Sequence, residues 1–244
     1  RAEIFYPTKK RAFYYTNNLG DGISLDMVYI PAGSFIMGSP EEEEGHNERE
    51  KPQHLVTLSA FHISKFPITQ AQYQAVMMDF HPSFFKGNNL PVHRVSWEQA
   101  KAFCHDLSQK LGKIYTLPSE SQWEYACRAG TTTPFYFGNN INADVANYDG
   151  VCSYGHKQKG RYLYRKKPTG VGRFPPNAFG LCDMHGNICE WCEDTCHKNY
   201  HGAPTDGKPW ISENDRKCHI LRGGFWGDSP RHCRSAARFS DRNS

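Results

Sequence analysis

Residues 117–130 read L-P-S-E-S-Q-W-E-Y-A-C-R-A-G, and this stretch divides the chain into two kinds of structure. Ser119 and Gln122 stand three residues apart, ahead of an apolar run. That is the S/T-x-x-Q capping box, in which each side chain satisfies a backbone N–H that the first helical turn leaves without a partner. The spacing predicts a helix that ends at Arg128-Ala129-Gly130, with Gly130 supplying the left-handed stop. Thr69 with Gln72 and Ser96 with Gln99 repeat the device upstream, so three helices are expected. In the second, Trp97, Ala100, Phe103, Cys104, Leu107 and Leu111 recur at three- and four-residue spacing and share one face.

Ahead of the helices, M-V-Y-I-P-A-G-S-F (27–35) reads as a strand broken by a Pro-Ala-Gly turn, and H-L-V-T-L-S-A-F-H-I-S-K (54–65) as a further strand or hairpin arm. Residues 1–24 read as a linker and entry segment, and 25–244 as one domain. The chain opens R-A-E-I-F-Y without an initiator Met, as a piece of a longer protein would. Beyond residue 131 helical periodicity stops and Gly, Pro, Asn and aromatic residues become dense. Loops of that length need metal ions or buried polar networks to hold them.

Composition narrows the function classes. Of 244 residues, 38% are apolar, 22% charged and 14% aromatic, with a net charge of +4. No apolar stretch approaches the roughly 18 residues of a membrane span. The acidic run Glu41–Glu44 reads as a solvated loop. The basic stretch K-Q-K-G-R-Y-L-Y-R-K-K (157–167) interleaves tyrosines with cations, as a nucleic-acid groove does; no second patch supports it, which argues against that partner. Nine cysteines, an odd count without regular spacing, suggest a reduced, cytoplasmic protein rather than a disulfide framework.

Six motifs in order, M-V-Y-I-P-A-G-S-F-I-M-G-S (27–39), P-I-T-Q-A-Q-Y (67–73), L-P-V-H-R-V-S-W (90–97), 117–130, F-G-L-C-D-M-H-G-N-I-C-E-W (179–191) and L-R-G-G-F-W (221–226), resemble the formylglycine-generating-enzyme, or sulfatase-modifying-factor, domain. The resemblance implies an α+β, elaborated C-type lectin fold with a small mixed sheet, two or three helices and much irregular loop. It also implies a closing strand after the segment that ends at Ser244. Enzymes of the family oxidise a protein cysteine to formylglycine at a copper ion held by two thiolates. Soft Cu(I) requires such ligands. The matching positions here are Asp228 and Cys233, so the two-thiol site is incomplete and the chain is expected not to be an enzyme; a copper-dependent oxidase is the alternative.

The same fold resembles variable proteins of diversity-generating retroelements, whose C-terminal segment follows R-G-G-S-W-x-x-x-P-R-x-C-R-S-A-x-R. Residues 222–238 fit that frame at Arg222, Gly223, Gly224, Trp226, Pro230, Arg231, Cys233, Arg234, Ser235, Ala236 and Arg238. The gaps are Phe225, Gly227, Asp228, Ser229, His232 and Ala237, continuing to Phe239, Ser240 and Asp241. The resemblance implies a ligand-binding module in which the gap residues, with Trp226, face solvent and contact a protein or other macromolecular partner, while the frame residues pack. It requires no cofactor, with one Ca²⁺ as an option. Relatives of the fold hold calcium around G-N-x-x-E-W; carried over, the ligands are the side chains of Asp183 and Glu190 and the carbonyls of Gly186 and Ile188, hard oxygen donors of the kind Ca²⁺ takes. A second calcium loop starting at Asn147 and Tyr148 maps its acidic ligand near Arg161, so that site reads as lost. C-E-W-C-E-D-T-C-H (189–197) has zinc-like spacing, but Cys189 and Cys196 read better as substitutions in a packed loop.

Overall fold

The computed structural model describes residues 11–78, 82–155, 163–212 and 217–242. Alternating apolar residues build the N-terminal half as strands β1 (Tyr14–Gly20), β2 (Ile23–Ile30), β3 (Gly33–Met37), β4 (His54–Leu58) and β5 (Phe61–Ser64). β1, β2 and β5 form an antiparallel sheet in the order β1-β2-β5, and β3 pairs with β4 as a separate ribbon. The 54–65 stretch therefore supplies one strand to each sheet. The entry segment contributes a full strand, since Leu19 of β1 is buried beside Leu25 and Met27.

The three expected helices are present: α1 (Gln70–Met77), α2 (Trp97–Leu111) and α3 (Glu120–Arg128). Thr69, Ser96 and Ser119 each close a reciprocal capping box with the glutamine three residues on. The α3 stop differs from expectation. Ala129 takes the left-handed conformation, at φ 47°, and its N–H donates to Tyr125 O; Gly130 continues with φ 92°. The short alanine side chain tolerates this because Thr131 N–H bonds Arg128 O in the turn that follows. Phe103, Cys104 and Leu107 of α2 pack on β1, β2 and Tyr73 of α1, with Tyr73 and Phe103 stacked at 5.3 Å.

The later half is loop with one small antiparallel sheet, β6 (Glu190–Thr195), β7 (Cys218–Arg222) and β8 (Phe239–Arg242), in the order β6-β7-β8. Cys196 and Cys218 are joined by a disulfide, so the expectation of wholly reduced cysteines is corrected. Cys218 opens β7 and Cys196 directly follows β6, one step beyond the Thr195–His219 pair, where their side chains meet; spacing along the chain does not reveal this. Cys104 and Cys127 are buried within helices as free thiols. Among the described residues no helix is long and apolar enough to cross a membrane.

Buried polar groups hold the loops. Asn177 Nδ2 donates to the Ala126 and Cys127 carbonyls at the end of α3 while its Oδ1 accepts from Leu181 N–H. Asn187 Oδ1 accepts from Thr169 N–H and Asn147 Nδ2. The core has three clusters: β-strands against Trp123, Ala126 and Cys127 of α3; β1–β2 against α1 and α2; and the loop residues Phe135, Phe137, Ile141, Tyr148, Tyr154 and Cys233. Because the cap hydroxyl of Ser119, besides accepting from Gln122 N–H, donates to Gly207 O at 2.8 Å and bonds Ser121 Oγ at 3.0 Å, Ser119→Ala removes three hydrogen bonds at once. A loss of about 1–2 kcal/mol is expected in denaturant unfolding, with an unchanged m-value.

Candidate functional site

The 222–242 segment crosses the molecule on buried arginines. Arg222, Arg234 and Arg238 are 0%, 1% and 8% exposed. Arg222 pairs with Glu124 and donates to the carbonyls of Ala236 and Ala237 at 2.8 and 2.6 Å. Arg238 grips both oxygens of Glu120 at 2.6 and 2.8 Å. Arg234 reaches Glu50 at 2.7 and 2.9 Å, Glu43 at 2.6 Å and the Gly45 carbonyl. The acidic run is thus only partly a solvated loop: Glu43 is buried against Arg234, because a fully enclosed guanidinium needs a carboxylate. Glu120 and Glu124 sit four apart on one face of α3, where a fourth cation, Arg128, also bonds Glu124 at 2.9 Å.

Burial alone pushes the Glu120 carboxyl up, but Arg238 and Arg222 outweigh it and hold it below its usual range. Two fully buried groups complete the scaffold. His185 Nδ1–H donates to Cys233 O at 2.7 Å and Nε2 accepts from Tyr136 N–H at 3.0 Å; burial lowers its pKa to about 3, so the imidazole stays neutral with a fixed tautomer. Cys233 lies in the third core cluster, with its Sγ 2.9 Å from where a Cβ on Gly224 would stand. At φ +72°, Gly224 is a position only glycine fills.

Most gap residues face outward, and one does not. Residues 225–229 and Phe239 are half-buried, and His232, Ser240 and Asp241 are exposed. Ala237, 3% exposed, is buried; the expectation that it faces solvent is corrected, because Arg222 draws its carbonyl inward. Trp226 meets Phe225 at 5.5 Å, Phe85 at 5.9 Å and Tyr164 at 6.1 Å. Asp228 Oδ2 accepts from Phe225 N–H at 3.0 Å, its Oδ1 lies 3.4 Å from His232 Nδ1, and His232 stands edge-on to Phe239 at 5.1 Å. Phe225, Trp226, Asp228, His232 and Phe239 therefore form one connected patch, which Phe85 and Tyr164 extend. The sequence offered no signal for those two. The partners of the arginines were equally hidden: Glu120 and Glu124 share the i, i+4 spacing of a single helix face, but nothing in that spacing joins them to Arg222 or Arg238.

The two positions that the resemblance assigns to copper hold one carboxylate and one thiol, and so do not supply a pair of thiolates. The first of the two thiolate positions is Asp228, occupied with Phe225 and His232. Burial raises the Cys233 thiol well above its usual range. Zinc at 189–197 does not fit either: Cys196 is in the disulfide, and among the described residues no three His, Cys, Asp or Glu side chains converge as a metal group. Two carboxyls with carbonyls suit calcium better. Asp183 Oδ1 and Glu190 Oε1 are enclosed without a hydrogen-bond partner among the described residues. Burial pushes Asp183 up to about 6 and Glu190 to about 8, the latter raised further by Asp183. Asn147 and Tyr148 of the other calcium loop are buried; Arg161, and residues 157–162 of the basic stretch, lie outside the described residues.

Small sheets, three helices and long ordered loops, with a C-terminal segment pinned by arginines, define an α+β protein of the C-type-lectin-like, formylglycine-generating-enzyme type. Residues 22–244 match the Sulfatase-modifying factor enzyme 1-like domain, and the chain belongs to that family. The structure of PvdO from Pseudomonas aeruginosa is similar at TM-score 0.81 and 32% identity, covering 97% of this chain and 95% of that one. Treponema denticola variable protein 1 is similar at TM-score 0.77 and 25% identity, covering 94% of each. Among curated relatives, the formylglycine-generating enzyme of Mycobacterium tuberculosis is 26% identical over 87% of this chain and 91% of its own length. The inactive Cα-formylglycine-generating enzyme 2 of Mus musculus is 28% identical over 86% and 77%. The family thus holds both enzymes and inactive members, and membership alone does not decide catalysis.

The electrostatics of the scaffold have a pH signature. Because the folded-state pKa of Glu120 is depressed, its contribution to stability is present above the unfolded value of 4.5 and is lost as pH falls through the folded one. Denaturant midpoints should therefore drop as pH is lowered below about 4.5. Glu120→Gln, less stable at neutral pH, should show a smaller drop; an equal drop would place the acid-sensitive group elsewhere.

Proposed function

We propose that this chain is a non-catalytic ligand-binding module that presents Phe225, Trp226, Gly227, Asp228, Ser229, His232, Phe239, Ser240 and Asp241 to a protein partner, and that these positions, apart from the frame residue Trp226, are diversified in the coding DNA by a retroelement while the frame stays constant. The observation that carries this reading is the partition of the segment. Arg222, Cys233, Arg234, Ser235, Ala236 and Arg238 are buried, whereas the gap residues other than Ala237 reach the surface; of the frame residues, Arg231 is exposed and Trp226 half-buried, against the expectation that the whole frame packs. Side chains at such positions change at little cost in stability, while each buried arginine is paired with an enclosed carboxylate and is costly to replace. The patch combines aromatic anchors, Phe225 and Trp226, with polar neighbours, the composition that protein contacts favour. The likeness to the Treponema denticola variable protein supports the same reading.

Two measurements test it. A near-copy of codons 222–244 in the source DNA is expected, differing from the coding copy only where the near-copy carries adenines; differences at the frame codons of Arg222, Gly223, Gly224, Arg231, Arg234 and Arg238 would defeat diversification. In the protein, His232→Ala and Asp241→Ala should each shift stability by no more than about 0.5 kcal/mol. Arg234→Met should cost about 3–5 kcal/mol because it leaves Glu43 and Glu50 buried and unpaired.

One Ca²⁺ held by Asp183, Glu190 and the carbonyls of Gly186 and Ile188 belongs to this reading. The cation would neutralise two enclosed carboxylates and fix the loop that carries β6. Calcium added to chelator-treated protein should raise the melting temperature, equivalent to about 2.7 kcal/mol at a hundredfold excess over Kd. Glu190→Gln should remove the shift. An unchanged melting curve in wild type would eliminate the site.

A further inference from the structure

Among the described residues the first sheet ends at β5, with no strand on its outer edge. Lys65 N–H donates to Asp26 O at 3.0 Å, which sets the alternation of the β2–β5 ladder. Ile63 then exchanges backbone hydrogen bonds with Val28, and His62 and Ser64 turn their N–H and C=O groups to the open edge. Beside that edge lies a cleft of about 630 Å³ that takes in all four residues of β5. Val92, Val95, Leu117, Trp191 and Phe225 line it as well, and each is only half-buried. Backbone groups lacking a strand and apolar side chains lacking a cover thus occur together.

We propose that β5 and this cleft receive an extended peptide segment of a partner protein, added to the sheet as a fourth strand, with alternate apolar side chains turned into the cleft and an acidic side chain set against Arg94. A strand is favoured over a compact apolar molecule because it alone satisfies the outward groups of His62 and Ser64 while covering the apolar wall. The charge of the lining specifies the acid. Arg94 is its one lysine or arginine and is exposed, whereas its one carboxyl group, Glu190, accepts from Trp123 Nε1 at 3.4 Å. Phe225 belongs both to this cleft and to the C-terminal patch, so the two surfaces are continuous. A bare sheet edge beside apolar side chains also invites aggregation, which a bound strand prevents.

The test pans a library of random dodecamer peptides against the full chain. Selected peptides are then measured against wild type, His62→Pro and Leu117→Lys. Proline is tolerated on an edge strand but lacks the N–H that a fourth strand needs; Leu117→Lys leaves the edge intact and charges the cleft. Expected are peptides that alternate apolar residues and carry an acid, lose about tenfold or more in affinity with either variant, and slow amide exchange at His62 and Ser64. Should His62→Pro not fold by circular dichroism, Leu117→Lys and the exchange data carry the test. Four results would overturn the proposal. These are peptide affinities indifferent to both variants, no binder tighter than about 100 μM, His62 and Ser64 amides protected before any peptide is added, or self-association of the chain that His62→Pro abolishes.

Discussion

Two carboxylates on one face of α3 organise the second half of this protein. Glu120 and Glu124 are enclosed, and an ionised carboxylate removed from water costs several kcal/mol unless it is paired and hydrogen-bonded. Arg128 comes from the same helix, but Arg222 and Arg238 are delivered from the far end of the chain. The segment between them therefore has no freedom to choose its path. Arg222 also bonds the carbonyls of Ala236 and Ala237, which ties the start of the excursion from residue 223 to its end. His185 fixes the middle through Cys233 O.

Such a closed excursion separates two requirements that ordinary loops mix. Backbone geometry is set by buried groups beneath the segment, so the outward side chains need contribute nothing to it. The separation is incomplete at Asp228, whose carboxylate bonds the Phe225 N–H, and at Ala237, which lies inside. At those two positions, the identity of the side chain remains coupled to the scaffold.

Much of this was legible before any coordinates. Three capping boxes gave three helices, because the Ser or Thr and the Gln satisfy each other's backbone within four residues and need no tertiary context. The buried role of the arginines was legible as a need for partners, while the identity of the partners was not; Glu43, Glu50 and Glu120 lie more than 100 residues away along the chain. Reading Glu41–Glu44 as solvent-exposed failed at Glu43 for that reason. The Cys196–Cys218 disulfide was equally hidden, since it depends on strand register between β6 and β7 rather than on any spacing. Phe85 and Tyr164 join the patch from loops whose course follows from the whole fold.

The long reach of the arginine pairs also bears on how the chain acquires its shape. Arg222 meets Glu124 across 98 residues, Arg238 meets Glu120 across 118, and Arg234 meets Glu50 across 184. Contacts of such separation carry a large loop-closure cost and form late. Strands β1, β2 and β5 and helices α1 and α2 pack on one another within residues 14–111, so they can assemble while the last segment is still unstructured. A substitution at an outward position between residues 225 and 241 would then act after the nucleus exists, outside the steps most prone to misfolding.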